Sequence, residues 1–320
     1  MNEVEIIQFA LESLEQKTGI TGYWEELQHK DGIRLIISIR NNSFIFSVEA
    51  KREVRPQHIQ NILKQKERLG DLIVVAERIF QKAKAELREL SIPYIEANGN
   101  VFIKKSDTLI WIDTNPPLKI KRETGNRAFT KTGLKVLFHF LMNESLINTP
   151  QRQIAGETGV SLGNVPQIIS GLIKTGHLFQ LNKDTYAWAG HHKLLERWIT
   201  EYETVLRPAL FLGRFTFKGD YREIGLTGDQ TVWGGEPAAD FITNHLRPEE
   251  YTIYTKETRQ ELMRKYRFMP KDDGELYAYQ WFWNDGNHFR ENIAPPLLIY
   301  ADLMIKGDKR SIETAQMIYK

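Results

Sequence analysis

Residues 130–147 read TKTGLKVLFHFLMNESLI, residues 149–160 TPQRQIAGETGV, residues 161–178 SLGNVPQIISGLIKTGHL and residues 179–190 FQLNKDTYAWAG. This stretch decides how the chain is organised. It contains an apolar helix, a shorter second helix, a turn, a third helix and an alternating strand pair, the element order of a winged helix-turn-helix. Gly159 stands where the turn between the second and third helices needs a left-handed residue, and Ser161 follows as an N-cap. Gly163 and Pro166 lie in the first turns of the third helix, so its start can also be placed nearer Asn164. Val165, Ile168, Ile169 and Leu172 recur at three-and-four spacing and form the packing stripe. Gly176 ends the helix. Leu178 to Leu181 and Thr185 to Trp188 then form a ribbon turning at Asn182-Lys183-Asp184.

The remaining face of the third helix carries Asn164, Gln167, Ser170 and Lys174. These short hydrogen-bonding side chains, together with a cation, suit base edges in a major groove. With Ser161 at the helix start and Lys183 on the ribbon, they are the candidate contacts to double-stranded DNA. Charge points the same way: residues 126–190 hold six Lys and Arg against three Asp and Glu. Residues 1–125 hold nineteen against eighteen, and residues 191–320 hold eighteen against twenty. The bland alternative is a three-helix packing module that meets no nucleic acid.

A chain of 320 residues with 41% hydrophobic and 26% charged residues has room for two or three folded domains. It contains no cysteine, which excludes disulfides, thiolate catalysis and cysteine-ligated zinc. No apolar run reaches the length of a membrane span, and MNEVEIIQFALESLEQ reads as an acidic amphipathic helix and not a signal peptide, so a cytoplasmic location without membrane contact is expected.

The expected fold class is α/β and α+β, in several domains. Residues 1–114 form an α/β domain, 115–126 a linker through Asn115-Pro116-Pro117, 127–190 the winged helix and 191–320 an α+β domain. In the first domain a helix over Val4 to Lys17 precedes a hairpin, Ile33 to Ile39 and Phe44 to Glu49, turning at residues 40–43. Helices over Pro56 to Leu69 and Gln81 to Leu90 alternate with strands at Leu72 to Ala76, Ile92 to Glu96, Asn100 to Ile103 and Leu109 to Ile112. The pattern predicts a mixed sheet with helices on both faces. If the hairpin pairs residues whose numbers sum to 82 or 83, Asp31 falls beside Lys51, and Asp31, Glu49 and Lys51 converge at one end.

Glu49-x-Lys51 and the element order around it resemble the PD-(D/E)xK nuclease superfamily over about residues 1–105. The resemblance implies that Asp31 and Glu49 hold Mg2+ while Lys51 stabilises charge on a phosphate. A further acidic ligand would come from Glu12 or Glu15. The sequence departs from that family in having His29-Lys30-Asp31-Gly32 where a Pro-Asp pair often stands. An inactive domain with a surface ion pair is the competing reading.

Residues 191–320 show a helix over Lys193 to Val205, strands near Ala209 to Phe217, Tyr251 to Thr255 and Tyr277 to Trp283, and closing helices over Pro296 to Met304 and Ser311 to Tyr319. No nucleophile with its base, phosphate loop or metal spacing is present, and Trp233-Gly-Gly-Glu236 reads as a turn before a helix. The stretches Trp233-Gly-Gly-Glu-Pro-Ala-Ala-Asp240, Pro296-Leu-Leu-Ile-Tyr-Ala-Asp-Leu-Met-Ile-Lys-Gly-Asp308 and Ile312-Glu-Thr-Ala315 resemble the AbiEi-type antitoxins of type IV toxin-antitoxin systems, with the likeness covering about residues 127–320. It implies a repressor with a winged helix and a nucleotidyltransferase toxin as partner; a symmetric operator would in turn imply a homodimer, whose interface no sequence feature identifies. The departure is the 125 or so residues that precede the winged helix. An adaptor that holds protein partners with its outer domains is a third option.

Overall fold

The computed structural model describes residues 3–27, 32–39, 42–116, 118, 125–183, 185–284 and 292–319. Two compact units, Met1–Arg122 and Glu123–Lys320, divide the chain.

The first unit is a seven-stranded sheet in sequential strand order. Helix α1 (Glu3–Thr18) leads into β1 (Thr21–Glu26), β2 (Ile33–Ile39) and β3 (Asn42–Val54), which form an antiparallel meander. After α2 (Ile59–Leu69), strand β4 (Leu72–Ile79) lies parallel to β3. After α3 (Gln81–Glu89), β5 (Tyr94–Glu96) continues parallel to β4, and β6 (Val101–Lys105) and β7 (Thr108–Ile112) close the sheet antiparallel. A parallel pair needs a crossover, and α2 and α3 supply the two. Side chains alternate between faces along a strand. Accordingly Ile73 and Val75 of β4 join Ile7, Leu11 and Leu14 of α1 in one core, while Val74 and Ala76 join Ile59, Ile62 and Leu87 in a second.

Two features depart from expectation here. Strand β1 is additional to the predicted elements. The hairpin pairs Ile39 with Asn42 and Arg34 with Ser47, so paired numbers sum to 81, not 82 or 83. The cause is that β2 runs to Ile39 and β3 already begins at Asn42, which moves the turn toward the N-terminus. Arg40 and Asn41 lie outside the described residues.

The second unit has one hydrophobic core running from Ala128 to Ala315. It begins with α4 (Lys131–Met142), α5 (Gln151–Thr158), α6 (Asn164–Lys174) and the ribbon of β8 (Leu178–Asn182) and β9 (Thr185–Trp188). Helix α7 (His191–Glu201) then passes through a π-turn at Tyr202–Leu206 into α8 (Arg207–Leu210). The following strands are β10 (Phe211–Thr216), β11 (Thr231–Gly234), β12 (Tyr251–Thr255), β13 (Met269–Pro270) and β14 (Leu276–Gln280), and their sheet order is β11-β12-β14-β10-β13. Helices α9 (Gly235–Thr243), α10 (Arg259–Tyr266), α11 (Pro296–Lys306) and α12 (Lys309–Ile318) complete it.

The core of this unit is strongly aromatic. Trp198 of α7 is fully buried, its indole N–H donates to the Leu134 carbonyl at 2.9 Å, and its ring stacks on Tyr202 at 5.0 Å. Residues 127–190 and the rest of the unit therefore share one packed interior.

Candidate functional site

The geometry of α6 is fixed from two sides. Val165, Ile168, Ile169 and Leu172 are buried, as the spacing requires. On the same flank Gly171 admits Asn126, whose amide Nδ2 donates to the Gly171 carbonyl at 3.2 Å. A Cβ at residue 171 would stand 2.2 Å from the Asn126 Oδ1, so glycine is required by close approach. The preceding turn is set by Gly159, with φ 66° and ψ 25°, the left-handed conformation that glycine adopts without strain.

Ser161 does not cap the helix. Gly163 occupies the N-cap position without a side-chain cap, and Ser161 Oγ instead accepts from Asn164 Nδ2 at 2.7 Å. The reason is that residues 161–163 form a hydrogen-bonded turn, with Asn164 N–H donating to the Ser161 carbonyl at 2.9 Å, which delays the helix to Asn164. Pro166 falls in the first helical turn, where a missing N–H costs no helical bond.

Outward from α6 stand Gln167, Ser170 and Lys174, all exposed, while Asn164 is half-buried with its amide engaged by Ser161. The ribbon behind them is anchored by Asn148. Its Nδ2 donates to the Tyr186 carbonyl at 3.1 Å and its Oδ1 accepts the Tyr186 N–H at 2.7 Å. Lys183 is exposed at the ribbon's turn, and Gln180 Nε2 donates to its carbonyl at 3.2 Å. Asp184 lies outside the described residues. The ribbon also exposes Phe179 and Leu181, a feature that polarity counts along the sequence overlook. Inside α4, burial depresses His139 to a pKa of about 4, and the ring nitrogen Nε2 has no hydrogen-bond partner among the described residues.

In the first unit Lys51 Nζ lies 3.2 Å from Glu49 Oε1 on the same strand. Asp31 lies outside the described residues. A cleft of about 750 Å3 opens beside Lys51 and Arg52, and its carboxylates are Glu3 of α1 and Glu26 of β1. Glu12 and Glu15 do not line it. Glu26 escaped the sequence reading because it belongs to β1, which that reading lacked. No group of three or more His, Asp or Glu side chains among the described residues is placed to hold a metal ion.

The distinctive C-terminal stretches have a structural explanation. Gly234 and Gly235 run tightly against β12: a Cβ at residue 234 would meet the Tyr254 ring at 2.4 Å, and Gly235 has a φ of 49°. They are a packed turn into α9 and not a ligand cradle. Glu236 accepts the backbone N–H groups of Glu249 and Glu250, each at 2.8 Å, and pairs with Lys306. Asp240 accepts from the Tyr221 hydroxyl and from Arg222. Asp302 accepts from the Tyr254 hydroxyl at 2.7 Å, with Arg207 at 3.5 Å. Burial raises the Asp302 carboxyl, opposed by the Arg207 charge, and burial pushes the Tyr202 and Tyr254 hydroxyls well up. Asp308 caps α12 through the Ser311 N–H at 2.9 Å. Glu236, Asp240, Asp302 and Asp308 are thus engaged within the scaffold.

Among the described residues no helix is long and apolar enough to cross a membrane. Neither a curated protein nor a solved structure matches the chain. Residues 189–320 match the model of a family described as "Transcriptional regulator, AbiEi antitoxin, Type IV TA system".

Proposed function

We propose that the protein is a DNA-binding transcriptional regulator of the type IV antitoxin kind, in which residues 127–190 are a winged helix and α6 reads the major groove of double-stranded DNA. The observation that carries this reading is the face of α6, where Gln167, Ser170 and Lys174 stand exposed opposite a fully packed stripe. Side chains of these types satisfy base edges and phosphates, and nothing in the packing of the helix needs them. The excess of six cations over three carboxylates in residues 126–190 supports it, because phosphate contacts supply most non-specific affinity. So does the family match over residues 189–320, which begins where the ribbon ends.

In this reading Lys183 touches the phosphate backbone, a second copy of the chain binds the other half of a symmetric operator, and the segment after residue 190 faces a nucleotidyltransferase toxin in the cytoplasm. The test is a gel shift with the upstream region of the protein's own gene across a salt series. A specific complex at moderate salt, with log affinity falling linearly in log salt, is expected. No specific complex would sink the proposal.

A further inference from the structure

The exposed face of α6 is not uniformly polar. At about 3.6 residues per turn, Leu162, Pro166 and Ile173 fall along one edge of that face, Gln167 and Lys174 along the other, and Ser170 between them. Leu162 is 46% exposed in the turn that starts the helix, and Pro166 is exposed one turn on. Between them sits Gly163. Its backbone is ordinary right-handed helix, φ −64° and ψ −17°, and a Cβ there would meet nothing within 4 Å among the described residues. Glycine is an accepted N-cap residue, and here it also leaves the backbone at the helix start bare toward solvent.

We propose that the N-terminal end of α6 recognises thymine. Leu162 and Pro166 pack on 5-methyl groups in the major groove, and Gly163 lets the groove edge approach the backbone, while Gln167 bonds a neighbouring base edge. The inference rests on the DNA-reading function proposed above. Its chemistry is the one apolar feature of the major groove: only thymine, among the unmodified bases, offers a methyl group there. The same end of a recognition helix is the part that meets base edges in helix-turn-helix proteins. Ile173 lies on the same edge but about 16 Å further along, at roughly 1.5 Å per residue, and serves as a control.

The experiment uses the full-length chain and a duplex that the chain itself selects from a random pool. That duplex is then remade with deoxyuridine in place of every thymidine, which removes the methyl groups and keeps all hydrogen bonding. Binding is expected to weaken about fourfold for each methyl group in contact, the equivalent of exposing one methylene-sized group. Leu162→Ala is expected to bind the thymidine duplex less well and to lose most of the discrimination between the two duplexes, while Ile173→Ala keeps it. Gly163→Ser, which keeps a favourable N-cap residue, is expected to bind both duplexes more weakly with an unfolding midpoint unchanged or raised. Equal binding of the two duplexes by the natural chain overturns the inference and leaves the DNA-reading function standing. Failure to select any duplex overturns both. The comparison of duplexes needs no protein variant, so a folding defect in Leu162→Ala does not remove the test.

Discussion

The two units handle charge differently. In Met1–Arg122 the strongest charged groups are turned inward and answer one another: Lys84, 3% exposed, lies 2.8 Å from Glu96 and 2.5 Å from Asp113. Burial alone would lower the Lys84 pKa, but the hydrogen bonds to Asp113 and Glu96 outweigh it and raise the pKa. Even Glu49 and Lys51 pair with each other along one strand. In Glu123–Lys320 Glu236 is engaged by two backbone N–H groups, Asp302 keeps its Oδ1 without a hydrogen-bond partner among the described residues, and α6 presents Gln167 and Lys174 to solvent. A charged cluster in itself therefore says little about function in this protein. The informative residues are polar side chains on a rigid element whose own packing does not use them.

The comparison is tested hardest where the charges are buried. Lys84→Met strands Glu96, which is 1% exposed, and should cost the first unit about 3–5 kcal/mol in urea unfolding. Asp302→Ala removes the partner of Arg207, which keeps some solvent access, so the loss in the second unit should be nearer about 3 kcal/mol. A loss below about 1 kcal/mol for either change would show that its buried cluster does not hold the unit together.

His139 gives the second unit an acid-sensitive limb. Its folded pKa is about 4 against an ordinary 6.5, so between those values the unfolded chain binds more protons than the folded one. The stability in question is fully present above pH 6.5 and lost as pH falls, reaching about 3 kcal/mol near pH 4. Unfolding midpoints measured across that window should flatten in His139→Phe.

On the outward face the effects are smaller and concern binding. Gln167→Ala should weaken binding to a selected site by about 1–3 kcal/mol and relax preference at one position, with unfolding unchanged. Lys183→Ala should have the smallest effect, weakening all sequences alike and reducing the salt slope by about 1. If both changes lowered specific and random binding equally, α6 would not be the reader.

The parts of the fold that were legible in the sequence are those where one physical requirement dominates. The stripe of α6, the left-handed Gly159 and the continuous apolar run of β4 each follow from periodicity or backbone conformation. Strand β1 was not legible: Thr21–Glu26 is a sheet edge, largely exposed, and its composition carries no buried face. The hairpin register slipped because Arg40 to Ser43 offers several polar residues at which to turn. Ser161 looked like a cap because its type fits, whereas its hydroxyl serves Asn164. For the candidate site, the polar residues of α6 were readable from spacing alone. Leu162 and Gly163 became informative only once exposure and empty space around them were known.

The fully buried indole of Trp198 bears on how the molecule can be cut. Its N–H is tied to the Leu134 carbonyl and its ring to Phe138 and Tyr202. A fragment ending at residue 190 would expose the underside of α4 and leave that carbonyl to water. One starting after Asn126 would lose the grip on Gly171 that seats α6. The exposed face of α6 therefore does not travel as a cassette of sixty or so residues, and chimaeras built to transplant it should carry the entire second unit.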